Sequence, residues 1–547
     1  MAKANIKELL ARADRLRSIR QNFESYWQDV LYYCIARKAY VTRSKQEGDR
    51  LPVDVYDSSA IEALRIFAAG LAGYLTNPSA KWFNLRTEDR DLMDDKDVKV
   101  WLKDCEDTIY DVLNSSNFNF AIHEGYLDFG SVGMCSIFLE EDVQDYVRFY
   151  TRPIKEIFID QDEREVIDTV YREFEFTVRQ CYRKWGESCS KEVIDKYGKN
   201  KLEEKVKILH CVEPRYDYHP GKKDSLNMPF MSVYIEKDTK KRLSESGYKS
   251  FPYMIAGANK ESGETYFTSP MMECFSDTKM VNQMVKTNLK AAMKLVDPPL
   301  DVPSDGFNSP LNLNPMAINY RNPGTPGVDD KIRPIQTGGN VPLGLELIDR
   351  VELKIQRALF VDLFLALAQR DPKMTATEVL SREQERMLLL GPMLGRLTDM
   401  FSQIIKRTFL ILQERGAIKP LPVSLQGQEN LVIEYVSPLA KAQKNSEIKS
   451  INNTMAMVGQ IAGVNPQVLD KIDFDKTVDE IADLNGINPE LIRDQIEVGE
   501  IRKARATAEE AAKKMQAMDM MAGAAQKGGA AMKSMKEAQT VGADNGM

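Results

Sequence analysis

The sequence predicts an α+β protein of several domains, organised around two long amphipathic helices that flank a small β-containing insert. Three observations lead to this prediction. Residues 271–296 and 345–368 each carry apolar side chains at helical spacing beside a line of basic ones. Prolines and glycines are concentrated in residues 298–342 between them, where two short runs have strand-like patterns. Before residue 270 the pattern switches between helical and strand-like spacing.

The first 269 residues are predicted to form helices followed by a β-rich region. Helices are expected from the charged N-terminus, from residues 57–75, over residues 98–113 and up to Phe129. Strands are predicted at Lys81–Leu85, Met134–Glu140, Val147–Thr151, Ile157–Asp160, Val166–Phe176 and Val206–Glu213. The aromatic residues Trp27, Trp82 and Phe83 are interpreted as core side chains.

The first long helix is predicted to begin after Ser269-Pro270 and to end at Asp297-Pro298-Pro299, because proline suits the first turn but cannot continue a helix. Spacings of seven, four and four place four of its lysines on one face. These are Lys279, Lys286, Lys290 and Lys294. The second long helix, from Leu345 to about Ala368, repeats the design with a basic line of Arg350, Lys354 and Arg357.

The insert between the two helices is predicted to contain strands at Ala317–Arg321 and Lys331–Gln336. A polar break at Gln369–Lys373 follows the second helix, and Thr375 or Thr377 is a candidate cap for the next one. That third helix is expected to start or kink at Gly391-Pro392 and to stop at Gly416.

The C-terminal part is predicted to be mainly helical. A strand is expected at Leu431–Val436, and short helices punctuated by Pro466 and Pro489 fill residues 438–500. The tail is expected to be helical to about Ala525 and disordered at its end.

Composition argues against several functional classes. With 43% hydrophobic and 28% charged residues the chain can bury a sizeable core, and it has no apolar run of the ~20 residues that a bilayer span needs. We expect no signal peptide and a cytosolic site of synthesis. A net charge of −7 argues against a protein that grips DNA over a broad surface. The seven scattered cysteines favour buried free thiols over disulfides or zinc ligands.

No motif in the sequence predicts catalysis or a cofactor. There is no G-x-x-x-x-G-K-[ST] or G-x-G-x-x-G sequence, so a phosphate cradle for nucleotides is not expected. The three histidines, at positions 123, 210 and 219, are in no metal-binding or catalytic pattern. Acidic runs at residues 88–97 and 160–162 do not match a calcium loop. An enzyme is therefore the least favoured interpretation.

The order helix, β insert, helix, short loop, helix resembles that of the portal (head-to-tail connector) proteins of short-tailed bacteriophages. The resemblance covers residues 20–440, and its order along the chain carries more weight than any single string. Its strings are MTATEV at 374–379, LTNP with WF and Leu at 75–85, SNF at 116–118, VYREF at 170–174, HCVEPR at 210–215 and ESGY at 245–248. One departure is Tyr266–Pro270, where the family tends to have Tyr-Gly-Arg-Ser.

The resemblance implies an elongated subunit of a dodecameric ring with a central DNA channel. Its expected parts are a wing (1–269), a first stem helix (270–297), a clip (298–342), a second stem helix (343–368), a tunnel loop (369–377), a long wing helix with a strand (378–437), a crown (438–500) and a helical tail (501–547). Such a ring occupies one capsid vertex, through which DNA is packaged and ejected. Expected partners are the major capsid protein, scaffolding protein, terminase large subunit and tail adaptor, with location in the virion and, during assembly, the host cytoplasm.

The resemblance also implies roles for particular residues. The seven basic residues of the two long helices are candidates for facing the DNA channel, although a solvated face or ion pairs with Asp349 and Glu352 would explain them equally well. Candidate tunnel-loop residues are Gln369, Arg370, Asp371 and Lys373. Candidate clip-interface residues are Ile318, Tyr320, Ile332 and Ile335. The alternative function is a cytosolic helical scaffold or adaptor that does not contact DNA.

Overall fold

The computed structural model divides the chain into two compact units. The first comprises Met1–Arg86, Asp104–Pro420 and Leu431–Gln443, and the second Thr87–Lys103, Leu421–Asn430 and Lys444–Met547. The residues that the structure describes are 4–44, 48–49, 54–89, 92, 95–219, 221–222, 224–298, 300–301, 333–334, 341–368, 376–425, 431–435, 438–463, 465–485, 487, 491–493 and 495–541.

The described residues form fourteen α-helices and fourteen strands. The helices are α1 (Ile6–Cys34), α2 (Ser59–Leu75), α3 (Lys96–Ser115), α4 (Phe118–Val132), α5 (Val178–Trp185), α6 (Lys191–Gly198), α7 (Pro270–Glu273), α8 (Phe275–Val296), α9 (Val341–Ala358), α10 (Val361–Ala368), α11 (Ala376–Glu414), α12 (Pro438–Ala462), α13 (Phe474–Asn485) and α14 (Gln495–Val541). The strands are β1 (Phe83–Thr87), β2 (Met134–Asp142), β3 (Tyr146–Thr151), β4 (Ile157–Gln161), β5 (Ile167–Thr177), β6 (Lys205–Pro214), β7 (Phe230–Glu236), β8 (Lys241–Tyr248), β9 (Tyr253–Gly257), β10 (Asn259–Lys260), β11 (Phe267–Thr268), β12 (Leu300–Asp301), β13 (Arg333–Pro334) and β14 (Leu431–Tyr435).

The largest sheet is antiparallel, with strand order β4-β5-β6-β7-β8. Helix α1 covers one face, where Leu9, Ala13 and Leu16 join a core formed by alternate residues of the strands, including Tyr171 and Cys211. This alternation follows from the period of two along a strand. The strands predicted before residue 270 are all present to within two residues, whereas β7, β8 and β9 had not been predicted.

Arginines fasten α1 to this sheet. Arg12 donates to Glu213 Oε2 at 2.7 Å, and Arg17 pairs with Glu173. Arg20 is buried, and its guanidinium donates to the carbonyls of Ile154, Lys155 and Ile157. Because a buried guanidinium is tolerated only when its donors are satisfied, these bonds fix the position of the helix on the sheet.

A second sheet, ordered β3-β2-β9, packs between α4 and α11. Arg407 of α11 is buried and donates to the Leu139 carbonyl and to both oxygens of Ser250. Trp27, Trp82 and Phe83 are all buried, which confirms their prediction as core aromatics. All seven cysteines are buried free thiols, as predicted.

The boundaries of the three long helices differ from the predicted ones. The first is interrupted at Cys274, which separates the four-residue α7 from α8. The second begins at Val341 and breaks between α9 and α10, where Phe360 has φ +55°. Helix α11 runs without interruption through Pro392. The prediction that a helix starts at Gly391-Pro392 was therefore wrong. One internal proline removes a single hydrogen bond, which a 39-residue helix packed on β9 can tolerate.

The second unit is built mainly from α12, α13 and α14. Arg502 of α14 pairs with Asp475 of α13, with Nη1 2.6 Å from Oδ2. Helix α14 continues through Gly528 and Gly529 to Val541, well past the predicted end near Ala525. Its side chains that the structure describes are almost all exposed.

Candidate functional site

The candidate site is the hairpin formed by α8 and α9. The two helices run antiparallel, because Gly344 at the start of α9 lies against Asn288 in the second half of α8. A Cβ atom at Gly344 would lie 2.7 Å from Asn288 Oδ1, so glycine permits this close approach. Strands β12 and β13 pair with each other beyond these helix ends, which brings the start and the end of the insert together.

Two of the four predicted lysines lie against their own chain. Lys279 Nζ is 2.9 Å from Asp29 Oδ2 on α1 and 4.5 Å from the centre of the Phe275 ring. Lys286 Nζ is 5.2 Å from the centre of the Tyr56 ring. These contacts help to hold α8 on the body of the first unit.

The other two lysines, Lys290 and Lys294, are exposed on the second half of α8. On α9, Arg350, Lys354 and Arg357 are exposed as well. The basic side chains of the two helices are therefore on the surface of the first unit, and no described ion pair joins the α9 line to Asp349 or Glu352. Arg350 pairs instead with Glu346, one turn earlier on the same helix, with Nη2 2.6 Å from Oε1.

Three carboxylates, those of Asp57, Asp349 and Glu352, come together at this hairpin. The sequence did not predict that they would be close to one another. Glu352 of α9 lies beside Asp57, whose backbone N–H donates to Asn282 of α8 at 3.3 Å. Burial, then the nearby charges of Asp57 and Asp349, raise the pKa of Glu352. The spacing of Asp349 and Glu352 on α9 was visible in the sequence, but the approach of Asp57 depends on the fold.

The opposite side of α8 carries an open groove of about 470 Å³. Its lining mixes apolar side chains with amides and a hydroxyl: Met280, Gln283, Met284, Thr287, Asn288, Ala291 and Gly344. Met280 is 42% exposed, so the groove presents apolar surface to solvent.

The remaining predicted site residues lie outside the part of the chain that the structure describes. These are the tunnel-loop residues Gln369, Arg370, Asp371 and Lys373 and the clip residues Ile318, Tyr320, Ile332 and Ile335.

His210 and Cys211 lie on opposite faces of β6, as predicted from the strand geometry. His210 is buried between Tyr253 Oη, 3.2 Å from Nδ1, and Ser232 Oγ, 3.0 Å from Nε2. Burial, followed by the charges of Arg172 and Lys184, holds the pKa of His210 well below its usual range. Such a neutral, stacked imidazole is part of the core. Among the described residues, no group of three or more His, Cys, Asp and Glu side chains is arranged to hold a metal ion.

The described residues form mixed helix-and-sheet units, and comparison with known proteins identifies the family. A model of the bacteriophage head to tail connecting proteins matches residues 6–492. The chain belongs to this family and is a phage portal protein by family, which confirms the expectation from the sequence.

Two curated relatives are similar over almost the whole chain. One is named "Probable portal protein" of Bordetella phage BPP-1, 33% identical over 98% of this chain and 97% of its own length. The other is named "Portal protein" of Salmonella phage epsilon15, 32% identical over 99% of this chain and 97% of its own length. In the described part of the structure, every helix is too short or too polar to span a bilayer.

Proposed function

We propose that twelve copies of this chain assemble into a ring at one capsid vertex, and that DNA enters and leaves the capsid through its central channel. The observation that supports the ring most directly is the α8–α9 hairpin, which presents chemically different exposed faces on opposite sides. Head-to-tail association of two unlike faces closes into a ring when the rotation between neighbours allows it. The family membership favours this function over a cytosolic adaptor.

Within the proposed ring, the side of the hairpin that carries the exposed lysines of α8 faces the channel and meets DNA. Lys290 and Lys294 are the leading candidates, since they are exposed and lie beyond the contacts that hold Lys279 and Lys286 to the body. Arg350, Lys354 and Arg357 are also exposed, but Arg350 is neutralised in part by Glu346. A few basic residues give a weak, transient contact with phosphates, which suits DNA that has to move.

Two further parts of the proposal concern segments of which the structure describes only a few residues. Residues 369–377, with Gln369 to Lys373, form the tunnel loop beside the DNA. Residues 298–342 form the clip, which receives the terminase large subunit during packaging and the tail adaptor afterwards. In this proposal the wing and crown contact the capsid and scaffolding proteins, and the assembled protein is a component of the virion.

The first test is the mass of the purified protein by light scattering, together with negative-stain microscopy. We expect rings with a central hole and a mass near twelve times 62.1 kDa. A compact dimer that remains unchanged over the accessible concentrations and with scaffolding protein present would overturn the ring.

A further inference from the structure

We infer that neighbouring copies pack through two opposite faces of the α8–α9 hairpin, so that an apolar ridge on one copy enters the groove of the next. The ridge face is defined by Leu289, Met293, Leu345, Asp349 and Glu352. The groove face is defined by Met280, Met284, Ala291, Leu347, Arg350 and Lys354, with Gly344 at its floor. This inference rests on the proposed ring and specifies the contact that forms it.

The ridge face is on the side of the hairpin that contacts residues 54–57. Asn282 and Lys286 make that contact, and Leu289 and Met293 continue the same stripe of α8 at spacings of four, three and four. Beyond the covered part, Leu289 is 46% and Met293 66% exposed. On α9, Leu345, Asp349 and Glu352 form the matching stripe, which the proximity of Glu352 to Asp57 places on this side.

The groove face is on the other side of both helices. On α8, Met280 is two residues before Asn282, and Met284 is two residues before Lys286. An offset of two residues turns a helical side chain by about 160°, so both methionines point away from the ridge stripe. The same offset separates Leu347 from Leu345 on α9. Thr287 and Ala291 complete the α8 stripe, and the groove lies between this stripe and Gly344.

Ridge and groove lie at the same level along the hairpin. Gly344 is against Asn288, so Leu345 on the ridge side and Ala291 on the groove side are both near this crossing. Where the hairpin runs parallel to the ring axis, a head-to-tail contact between patches at equal height adds no rise from copy to copy. It therefore favours a closed ring over an open helix. Apolar ridges that enter a groove between helix rows are the usual form of helix packing.

The charges that α9 contributes beside the two patches are complementary. Asp349 and Glu352 border the ridge, and Asp57 and Glu62 add further negative charge on the same side. Arg350 and Lys354 border the groove and are exposed. In the described structure no ion pair neutralises Asp57, Asp349 or Glu352. A neighbouring copy that brings Arg350 and Lys354 to them would supply the missing cations.

Charge reversal tests the pairing. One variant carries Asp349→Lys and Glu352→Lys, a second carries Arg350→Glu and Lys354→Glu, and a third combines all four changes. We expect each reversal to raise the concentration for half-assembly at least tenfold, and the combination to restore it. The control, Lys513→Glu with Lys514→Glu on the exposed α14, changes the net charge as much as the second variant and should assemble normally.

Cysteine cross-linking tests the contact itself and does not depend on charge. All native cysteines are buried, so exposed new thiols react selectively. A mixture of Leu345→Cys chains and Met284→Cys chains should give covalent dimers on mild oxidation, and the chain that carries both changes should give a ladder of higher oligomers. Circular dichroism of each variant checks that it has folded.

The outcomes separate the two levels of the proposal. Wild-type rings together with unaffected charge reversals, or with no cross-linking above that of each single-cysteine chain alone, would overturn this interface and leave the ring standing. A wild-type chain that never forms rings would overturn the proposed function and the interface with it.

Discussion

At the scale of single residues, the most unusual group is Asp128, a carboxyl buried on α4. Lys38 Nζ lies 2.8 Å from its Oδ1, while Oδ2 is buried without a hydrogen-bond partner. Burial raises the pKa of Asp128 to about 6, because the loss of water outweighs the attraction of Lys38. The charge of this residue therefore changes close to neutral pH.

This shift predicts a pH dependence of stability. In the unfolded chain an aspartate has a pKa of about 4, so between about pH 4 and pH 6 the folded chain holds a proton that the unfolded chain releases. Asp128 should thus make the free energy of unfolding rise as the pH falls, by roughly 1 kcal/mol between pH 7 and pH 5. Denaturant unfolding of the wild type and of Asp128→Asn at the two pH values measures it, since the variant loses this contribution.

Glu124→Gln provides the matched control. Glu124 Oε1 also lies 3.1 Å from Lys38 Nζ, but its side chain is half exposed. This variant should keep most of the pH difference of the wild type, because burial, and not the charge of Glu124, is the largest cause of the raised pKa of Asp128. The depressed pKa of His210 acts in the opposite direction, as its contribution is lost when the pH falls, but it is the same in all three proteins and cancels. An Asp128→Asn protein with the full wild-type difference would contradict the assignment.

At the scale of elements, the contact between α2 and α10 shows how one glycine positions a helix. The ring of Phe364 on α10 occupies the space beside Gly70 where a Cβ atom would be. Phe67 packs edge-on against Phe364, with ring centroids 6.0 Å apart. This contact fixes α10, and with it the point at which the chain leaves for residues 369–375.

Substitution of Gly70 tests this packing, and α2 contains its own control. Gly70→Ala should lower the stability by about 1–3 kcal/mol, because the new methyl group overlaps the Phe364 ring. Gly73→Ala, one turn further on, has nothing within 4 Å of the new atom and should stabilise the helix by about 0.5–1 kcal/mol. Thermal unfolding compares the two, and equal shifts of the same sign would refute the role of Gly70.

The sequence predicted those helices and strands whose type and bounds follow from the residues within the element and at its ends. Helix α8 and strands such as β4 follow from local apolar spacing and from prolines at their ends. Strand β8 was missed because only Leu243 among its residues is a buried hydrophobic, and the buried Glu245 instead forms an ion pair with Arg215. The break at Phe360 was missed because neither glycine nor proline marks it.

The candidate site was predictable in part for the same reason. The basic stripes follow from helical spacing within α8 and α9. The binding of Lys279 by Asp29, and the approach of Asp57 to Glu352, join residues far apart in the chain. Such pairs depend on tertiary packing, and no local pattern in the sequence indicates them.

At the scale of the whole molecule, the chain has a net charge of −7 and yet exposes basic residues along one hairpin. This net charge fits a weak contact with DNA better than a broad DNA-binding surface. In a ring, each such residue is repeated once per copy. In the proposed ring, a modest positive charge per copy would form a continuous basic circle around the channel and guide the duplex without holding it.

The last prediction concerns which residues form that circle. Lys290→Gln with Lys294→Gln should leave ring formation intact but weaken the binding of a short duplex at low salt. The slope of log K against log salt should fall in magnitude by about 0.9 for each phosphate that the variant no longer neutralises. Lys279→Gln with Lys286→Gln removes the same charge from side chains that contact Asp29 and Tyr56, and should leave the slope unchanged. If instead this second pair alone flattens the salt dependence, the first half of α8 meets the DNA, and the channel assignment must be moved to Lys279 and Lys286.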